Sequence, residues 1–355
     1  MNRKERVLTA IGRSKPDRVP VDYAANRFVQ ATLYEHFRVN NHRELLERLH
    51  VDIVDLRGVV DPRYVGPIPM ERQLPGEVSE NFWGMQKKVM MTATGPEESY
   101  CRFVLQEATT LSELEKHGWP SVDWFDFTDI KERIRAWSDF AVMASGASVF
   151  QHPTFLRGLE TLLVDLVTAP ELAGYLLDKF TDFYVAYFDR LFSSAPGLVD
   201  ILRIADDFGM QDRLLVGPDV FATFFAPRLK RLVDMAKSHN VYVMFHSCGS
   251  IAPLIENLIA LGIDILDPIQ PLAKDMEPRR IKAQFGSRIC LHGAIDTQHL
   301  LTEGSEQEVE EAVRQAIEEL GRGGGYILAP SHVLQTDVPL DNILTLYEAA
   351  FRLQT

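Results

Sequence analysis

The chain has 355 residues, 46% of them hydrophobic and 25% charged, with a formal net charge of −13. That content fills one large α/β barrel or two average domains and argues against wholesale disorder, while the acidic balance disfavours nucleic acid and anionic membranes, both of which need concentrated Lys and Arg. Three cysteines, no apolar run of about 18 residues and a charged N-terminus without an apolar segment predict no disulfide framework, membrane span or secretory signal, and a cytoplasmic location.

Along the chain, a short apolar run followed by a helical pattern recurs. The runs at 18–23, 51–57, 140–145, 199–206, 241–246, 263–268, 288–293 and 325–330 read as strands, and helical patterns lie between most of them, at 218–239, 251–261, 276–285 and 305–320 among others. Residues 58–105 carry many Pro and Gly ahead of VMMTATGPEESYCRF and read as an irregular excursion with a β-hairpin. Residues 110–137 then look helical. Eight strand–helix units in series predict a single (β/α)₈ TIM barrel over 1–355, with the 58–105 insertion forming a lid or wall over one end. A doubly wound sheet would announce itself with a Gly-rich first turn, which is absent.

Barrel enzymes draw their catalytic groups from the carboxyl ends of the strands. Here the second strand ends in Asp55 and Arg57. The fourth ends in Asp206 and Asp207, with Gln211 beyond. The fifth ends in His246 and Cys248, the sixth in Asp267 and Gln270, the seventh in His292 with Asp296 beyond, and the eighth in Ser331 and His332. The stretch VYVMFHSCGS, 241–250, is the most specific of these. Alternation along a strand points His246 and Cys248 the same way, and Gly249 permits close backbone approach. A nitrogen and a sulfur aimed at one point make half a zinc site. A catalytic zinc takes a third protein ligand and keeps a fourth position open. His332 in ILAPSHVLQTDVP supplies the third, His292 is the runner-up, and Asp or Glu donors remain open. Each neighbour also has a structural reading. Asp206 or Asp207 caps a turn, Asp296 caps a helix, Arg57 pairs with a carboxylate, and His292 is a satisfied core histidine. Cys290 packs as a small hydrophobe and Cys101 has no nearby partner.

Several blocks resemble the uroporphyrinogen decarboxylase superfamily, and within it the zinc-dependent cobalamin methyltransferase branch. They are RKERVLTAIGRSKPDRVPVD, VVDPRYVGP, ADDFGMQ, FHSCGSIAPLIENLIALGIDILDPIQ, LHGAIDTQHLL and GGGYILAPSHVLQTDVPLDNI, which together run over nearly the full length. The resemblance implies a (β/α)₈ barrel. Its decarboxylase branch carries an Arg-rich segment after the first strand to grip a polyanionic tetrapyrrole, and lacks the His-x-Cys pattern. This chain has VDYAANRFVQ there, with only Arg27. Methyl transfer is therefore expected ahead of decarboxylation. The branch binds zinc through His, Cys and a distant Cys. His246 and Cys248 match the first two, and His332, in Ala329-Pro330-Ser331-His332, stands where the branch has the second cysteine.

Two imidazoles and one thiolate leave zinc formally more positive than one imidazole and two thiolates. That favours stabilising a leaving oxygen or nitrogen over supplying a nucleophilic thiolate. The resemblance thus implies demethylation of a small methylated donor, such as a methoxy compound, onto a cobalamin or other corrinoid carried by a separate partner protein. Asp206, Asp207, Gln211, Gln270, His292 and Asp296 are expected to line the substrate mouth. A decarboxylase, and a catalytically silent metal- or corrinoid-binding barrel, are the alternative readings.

Overall fold

The computed structural model describes residues 1–92 and 95–354. Seven parallel strands form one sheet in sequential order: β1 (Ile53–Asp55), β2 (Ala141–Ala147), β3 (Ile201–Ala205), β4 (Tyr242–His246), β5 (Ile265–Ile269), β6 (Cys290–Ile295) and β7 (Tyr326–Pro330). The remaining expected strand, 18–23, closes the ring between β7 and β1 as a single-residue bridge from Val21 to Leu328. Its backbone bonds are Leu328 N to Pro20 O, Asp22 N to Leu328 O and Asp52 N to Val21 O, each 2.9 Å. Pro20 has no N–H to give, so this stave pairs sparsely. With it, the chain forms the expected (β/α)₈ TIM barrel.

Both faces of the strands are buried, as in parallel sheets covered by helices. Ile53, Met143, Ile201, Met244, Ile265, Cys290 and Ile327 point inward and pack on Val7, Ala10 and Ile11 of the helix Arg3–Ile11, which plugs the base. Asn2 and Glu5 start that helix with a reciprocal capping box. The alternate residues, among them Val54, Val142, Leu202, Val243, Leu266, Leu291 and Leu328, face the helical layer. Each such side chain contributes roughly 1.5–3 kcal/mol on burial. Cys290 is fully buried, as its apolar setting predicted.

Two expectations differ from the structure. Residues 110–137 are not one helix. Gly118 and Pro120 break the pattern into Leu111–Glu115 and Ile130–Arg135. The 58–105 excursion is more regular than a hairpin. It holds a four-stranded antiparallel meander, Glu71–Leu74, Val78–Asn81, Gln86–Thr92 and Gly95–Arg102. Trp83 anchors it by stacking on Phe180 of the long helix Pro170–Ser194, with ring centroids 4.4 Å apart. Its last strand leans over the barrel mouth, where Glu98 pairs with Arg27 at 3.2 Å.

Candidate metal centre

Two loops cross at the carboxyl end of β3 and β4. A Cβ at Gly209 would stand 2.5 Å from the Cys248 carbonyl oxygen, and one at Gly249 would stand 2.6 Å from the Met210 carbonyl oxygen. Gly249 also has a φ of +84°. Only glycines let these backbones touch, and Ser250 N seals the contact with a 2.7 Å bond to Met210 O. The crossing brings Asp207, at the end of β3, beside His246 and Cys248, at the end of β4.

Three donor atoms then converge. Cys248 Sγ lies 3.6 Å from His246 Nε2, and Asp207 Oδ1 lies 3.6 Å from the same nitrogen. All three atoms fall within 4.8 Å of one another. A tetrahedral zinc with bonds of ~2.1 Å to nitrogen and ~2.3 Å to sulfur spaces those two donors about 3.6 Å apart, so the pair is set for one cation. Asp207 Oδ1 is also fixed by Cys248 N at 2.9 Å. Burial, reinforced by the charges of Asp207 and Asp267, pushes the Cys248 thiol well above its usual range. A bound cation is what reverses that balance.

Behind the donors runs a chain of alternating charge. Asp267 Oδ2 stands 2.9 Å from His246 Nδ1 and accepts from Arg203 Nε at 2.8 Å. Its Oδ1 stands 2.8 Å from His292 Nδ1, and His292 Nε2 stands 3.0 Å from Asp22 Oδ2. Arg203 Nη2 at 2.7 Å and Asp267 Oδ2 at 2.9 Å both meet His246 Nδ1, which holds the ring with Nε2 facing Cys248, the side a metal-binding imidazole presents. Burial works against ionising both Asp267 and His292. Even so, Arg203, His246 and His292 hold Asp267 well below the usual carboxylate range, and Asp267 and Asp22 raise His292 to about 9.

The expected site residues divide. His246 and Cys248 meet as the strand alternation predicted, and Asp207 joins them. His332 lines both cavities flanking the pair, and its Nδ1 lies 3.1 Å from Val333 O, leaving Nε2 free, but its ring stands outside the three-atom cluster. His292 has carboxylates on both nitrogens, which corrects it as a metal ligand and as a group free to bind substrate. Asp206 is corrected too. It is fully buried and accepts from Ser148 Oγ and from Val149, Phe150 and Gln151 N at 2.6–2.9 Å, tying β3 to the loop after β2. Asp296 caps a turn through Gln298, His299 and Leu300 N rather than facing the mouth. Gln211 and Gln270 line the second cavity, where Gln270 Oε1 holds Gly249 N at 2.7 Å.

The reading from sequence missed Arg203. Its signal was an arginine inside the apolar run VDILRIAD, costly unless paired.

Two cavities meet at the centre. One, of about 610 Å³, is lined by His246, His332, Asp55, Arg203, Tyr23, His42 and Trp137 among others. The other, of about 650 Å³, is lined by Asp207, Cys248, His332, Glu97 of the meander and a set of glutamines.

A family model described as uroporphyrinogen decarboxylase (URO-D) matches residues 131–353, well over half of the chain. Methylcobamide:CoM methyltransferase MtbA of Methanosarcina acetivorans is 23% identical over 189 residues, covering 52% of this chain and 51% of that protein. The chain thus spans about half the length of that curated relative. A solved methyltransferase from Methanosarcina mazei superposes over 100% of both chains with a TM-score of 0.70 and 19% identity, which establishes a shared fold. No helix among the described residues is long and apolar enough to cross a membrane.

Proposed function

This chain belongs to the uroporphyrinogen decarboxylase family, and from that premise we propose that it is a zinc-dependent methyltransferase. It moves a methyl group between a small methylated donor, such as a methoxy compound, and a corrinoid carried by a separate protein. Family membership alone does not fix the reaction. The observation that carries the reading is the convergence of His246 Nε2, Cys248 Sγ and Asp207 Oδ1 at the barrel mouth. The likeness to MtbA, a methylcobamide methyltransferase, supports it.

In this reading His246, Cys248 and Asp207 hold the ion, and His332 lines both cavities beside them. When bound, zinc would supply charge stabilisation for the heteroatom bonded to the methyl group; with the carboxylate of Asp207 in place of the His332 imidazole the ion would be formally neutral, so the preference for a leaving oxygen that two imidazoles would give does not carry over. The protein's share is positional. Asp267 and Arg203 fix the His246 ring through Nδ1, Arg203 offsets the charge of Asp267, and the Gly209–Gly249 crossing fixes the sulfur against the carboxylate. The first cavity receives the donor. The second, rimmed by Gln211, Gln270, Gln298 and Gln335, faces the corrinoid, whose periphery is rich in amides that such side chains pair with.

The test has two parts. Purified protein is expected to carry close to one zinc per chain, and the His246→Ala and Cys248→Ala variants close to none. With reduced corrinoid and a panel of methylated donors, wild type is expected to form methylcorrinoid, followed by its absorption spectrum. Zinc binding without methyl transfer to or from any corrinoid sinks the enzyme reading. Carbon dioxide release from a porphyrinogen replaces it with decarboxylation.

A further inference from the structure

The loop after β2 also reaches the metal centre. Asp206, fully buried at the end of β3, collects the N–H groups of Val149, Phe150 and Gln151 and pins the start of the helix Gln151–Arg157 against β3. N–H groups at a helix start lack partners within the helix, and a carboxylate suits them. Asp207, the next residue, faces the centre. From its pinned position Gln151 extends its side chain to that second acid, and Nε2 donates to Asp207 Oδ2 at 3.3 Å. The other oxygen, Oδ1, accepts from Cys248 N at 2.9 Å.

The far end of the helix is held as firmly. Arg157 is buried, donates to the carbonyl oxygens of Gln106 and Ala108 at 3.1 and 2.6 Å, and pairs with Asp165 at 2.7 Å. Phe155 stacks on Tyr100 of the meander, with ring centroids 3.6 Å apart. A donor carried on an element fixed at both ends is aimed, whereas one on a free loop follows its acceptor.

We propose that Gln151 is a positioning residue for the third metal donor: it holds Asp207 Oδ2 so that the carboxylate offers Oδ1 alone to the cation. The inference rests on the reading of His246, Cys248 and Asp207 as the metal centre. Oδ1 is the oxygen 3.6 Å from His246 Nε2, and the Asp207 side chain is 36% exposed, so burial does not fix its rotation. A carboxylate binds a cation through one oxygen or through both. One-oxygen binding leaves the fourth position of a tetrahedral zinc open, as a catalytic site requires, and two-oxygen binding fills it. An amide is the suitable holder because it donates without carrying charge. A Lys or Arg in its place would compete with the cation for the carboxylate.

Gln151→Leu removes the donor and keeps most of the bulk. Its zinc affinity, read by competition with a chelating dye, is expected to fall about tenfold. With cobalt(II) in place of zinc, the sulfur-to-metal charge-transfer band is expected to stay. The visible d–d bands are expected to weaken, because the freed carboxylate adds its second oxygen and tetrahedral cobalt(II) absorbs more strongly than higher-coordinate forms. In an Asp207→Ala background, Gln151→Leu is expected to cost nothing further, since its action passes through that carboxylate. His152→Phe, the neighbouring change on the same helix, is expected to leave zinc affinity and the cobalt spectrum unchanged.

Unchanged zinc affinity or unchanged d–d bands in Gln151→Leu overturn the proposal. So does an equal fall in His152→Phe, which would trace the effect to a loosened helix, or a further fall in the Asp207→Ala background. A wild type that binds neither metal removes the centre itself and the proposal with it. Wild-type binding beside an unaffected Gln151→Leu leaves the centre standing and removes only the role of Gln151.

Discussion

At the base of the barrel, Asp52, Asp200 and Asp264 each stand one residue before a strand, and each accepts a backbone N–H from the preceding stave: Val21, Val142 and Val243, at 2.9, 2.9 and 2.6 Å. Each is matched by a cation, Arg6 and Arg18 on Asp52, Lys4 on Asp200 and Lys237 on Asp264. At the mouth, Asp22, His292, Asp267, Arg203 and His246 form an equally dense network, but its outward atoms, His246 Nε2 and Cys248 Sγ, open onto a cavity. The same residue types thus do two jobs. Where every charge closes on another, the network joins staves and contributes stability. Where the network ends on free donor atoms, it aims them.

The largest effects should break the mouth and spare the base. His246→Ala and Cys248→Ala are expected to drop zinc from near stoichiometric to near absent, with any methyl transfer lost, while circular dichroism stays that of wild type. Asp52→Ala should do the reverse. It leaves Arg18 without a carboxylate, while Arg6 keeps Asp17 at 2.7 Å, for an expected loss of about 3 kcal/mol in chemical unfolding, with zinc per folded chain unchanged. If Asp52→Ala instead empties the metal centre while staying folded, the separation of the two ends is wrong. Asp267→Asn sits between them. It keeps the shape but removes the charge and leaves one accepting oxygen where two served His246, Arg203 and His292, so zinc affinity is expected to fall about 10–100-fold, read by competition with a chelating dye. Finer still, Asp207→Ala is expected to weaken zinc more than His332→Ala does, since Asp207 and not His332 lies within the three-atom cluster. The opposite order would restore the distant imidazole as third ligand.

Much of this was legible in the sequence, for identifiable reasons. All eight staves announced themselves because parallel strands buried on both faces are continuous apolar runs. The His246–Cys248 pair was legible because strand alternation is strict. The base was legible in principle: Val51-Asp52-Ile53, Val199-Asp200-Ile201 and Ile263-Asp264-Ile265 repeat one pattern, an acid at the foot of an apolar strand. What sequence does not show is which acids turn inward. Asp206 and Asp207 are adjacent, yet one knits a loop and the other faces the centre, because the Gly209–Gly249 crossing sets their directions. Arg203 was equally hidden, since its partners arrive from β5 and β4.

The smallest expected effect concerns pH, and two histidines near the mouth give it opposite signs. His152, on the helix Gln151–Arg157, bonds Tyr184 through Nδ1. Burial, aided by the Arg57 charge, pushes its imidazole down to about 3. An unfolded histidine titrates near ~6.5. Below that value the unfolded chain takes up a proton that the folded chain refuses. The stability His152 contributes is therefore complete above 6.5 and lost progressively as the pH falls toward 3, with a slope of at most about 1.4 kcal/mol per pH unit. His292, raised to about 9, runs the other way. Its contribution is complete below the unfolded value and is lost as the pH rises through 9. Urea unfolding of wild type and His152→Phe at pH 7.5, 6 and 5 isolates the first slope. The variant is expected to lose less stability between 7.5 and 5, and equal losses in the two proteins would show that His152 takes its proton as readily folded as unfolded.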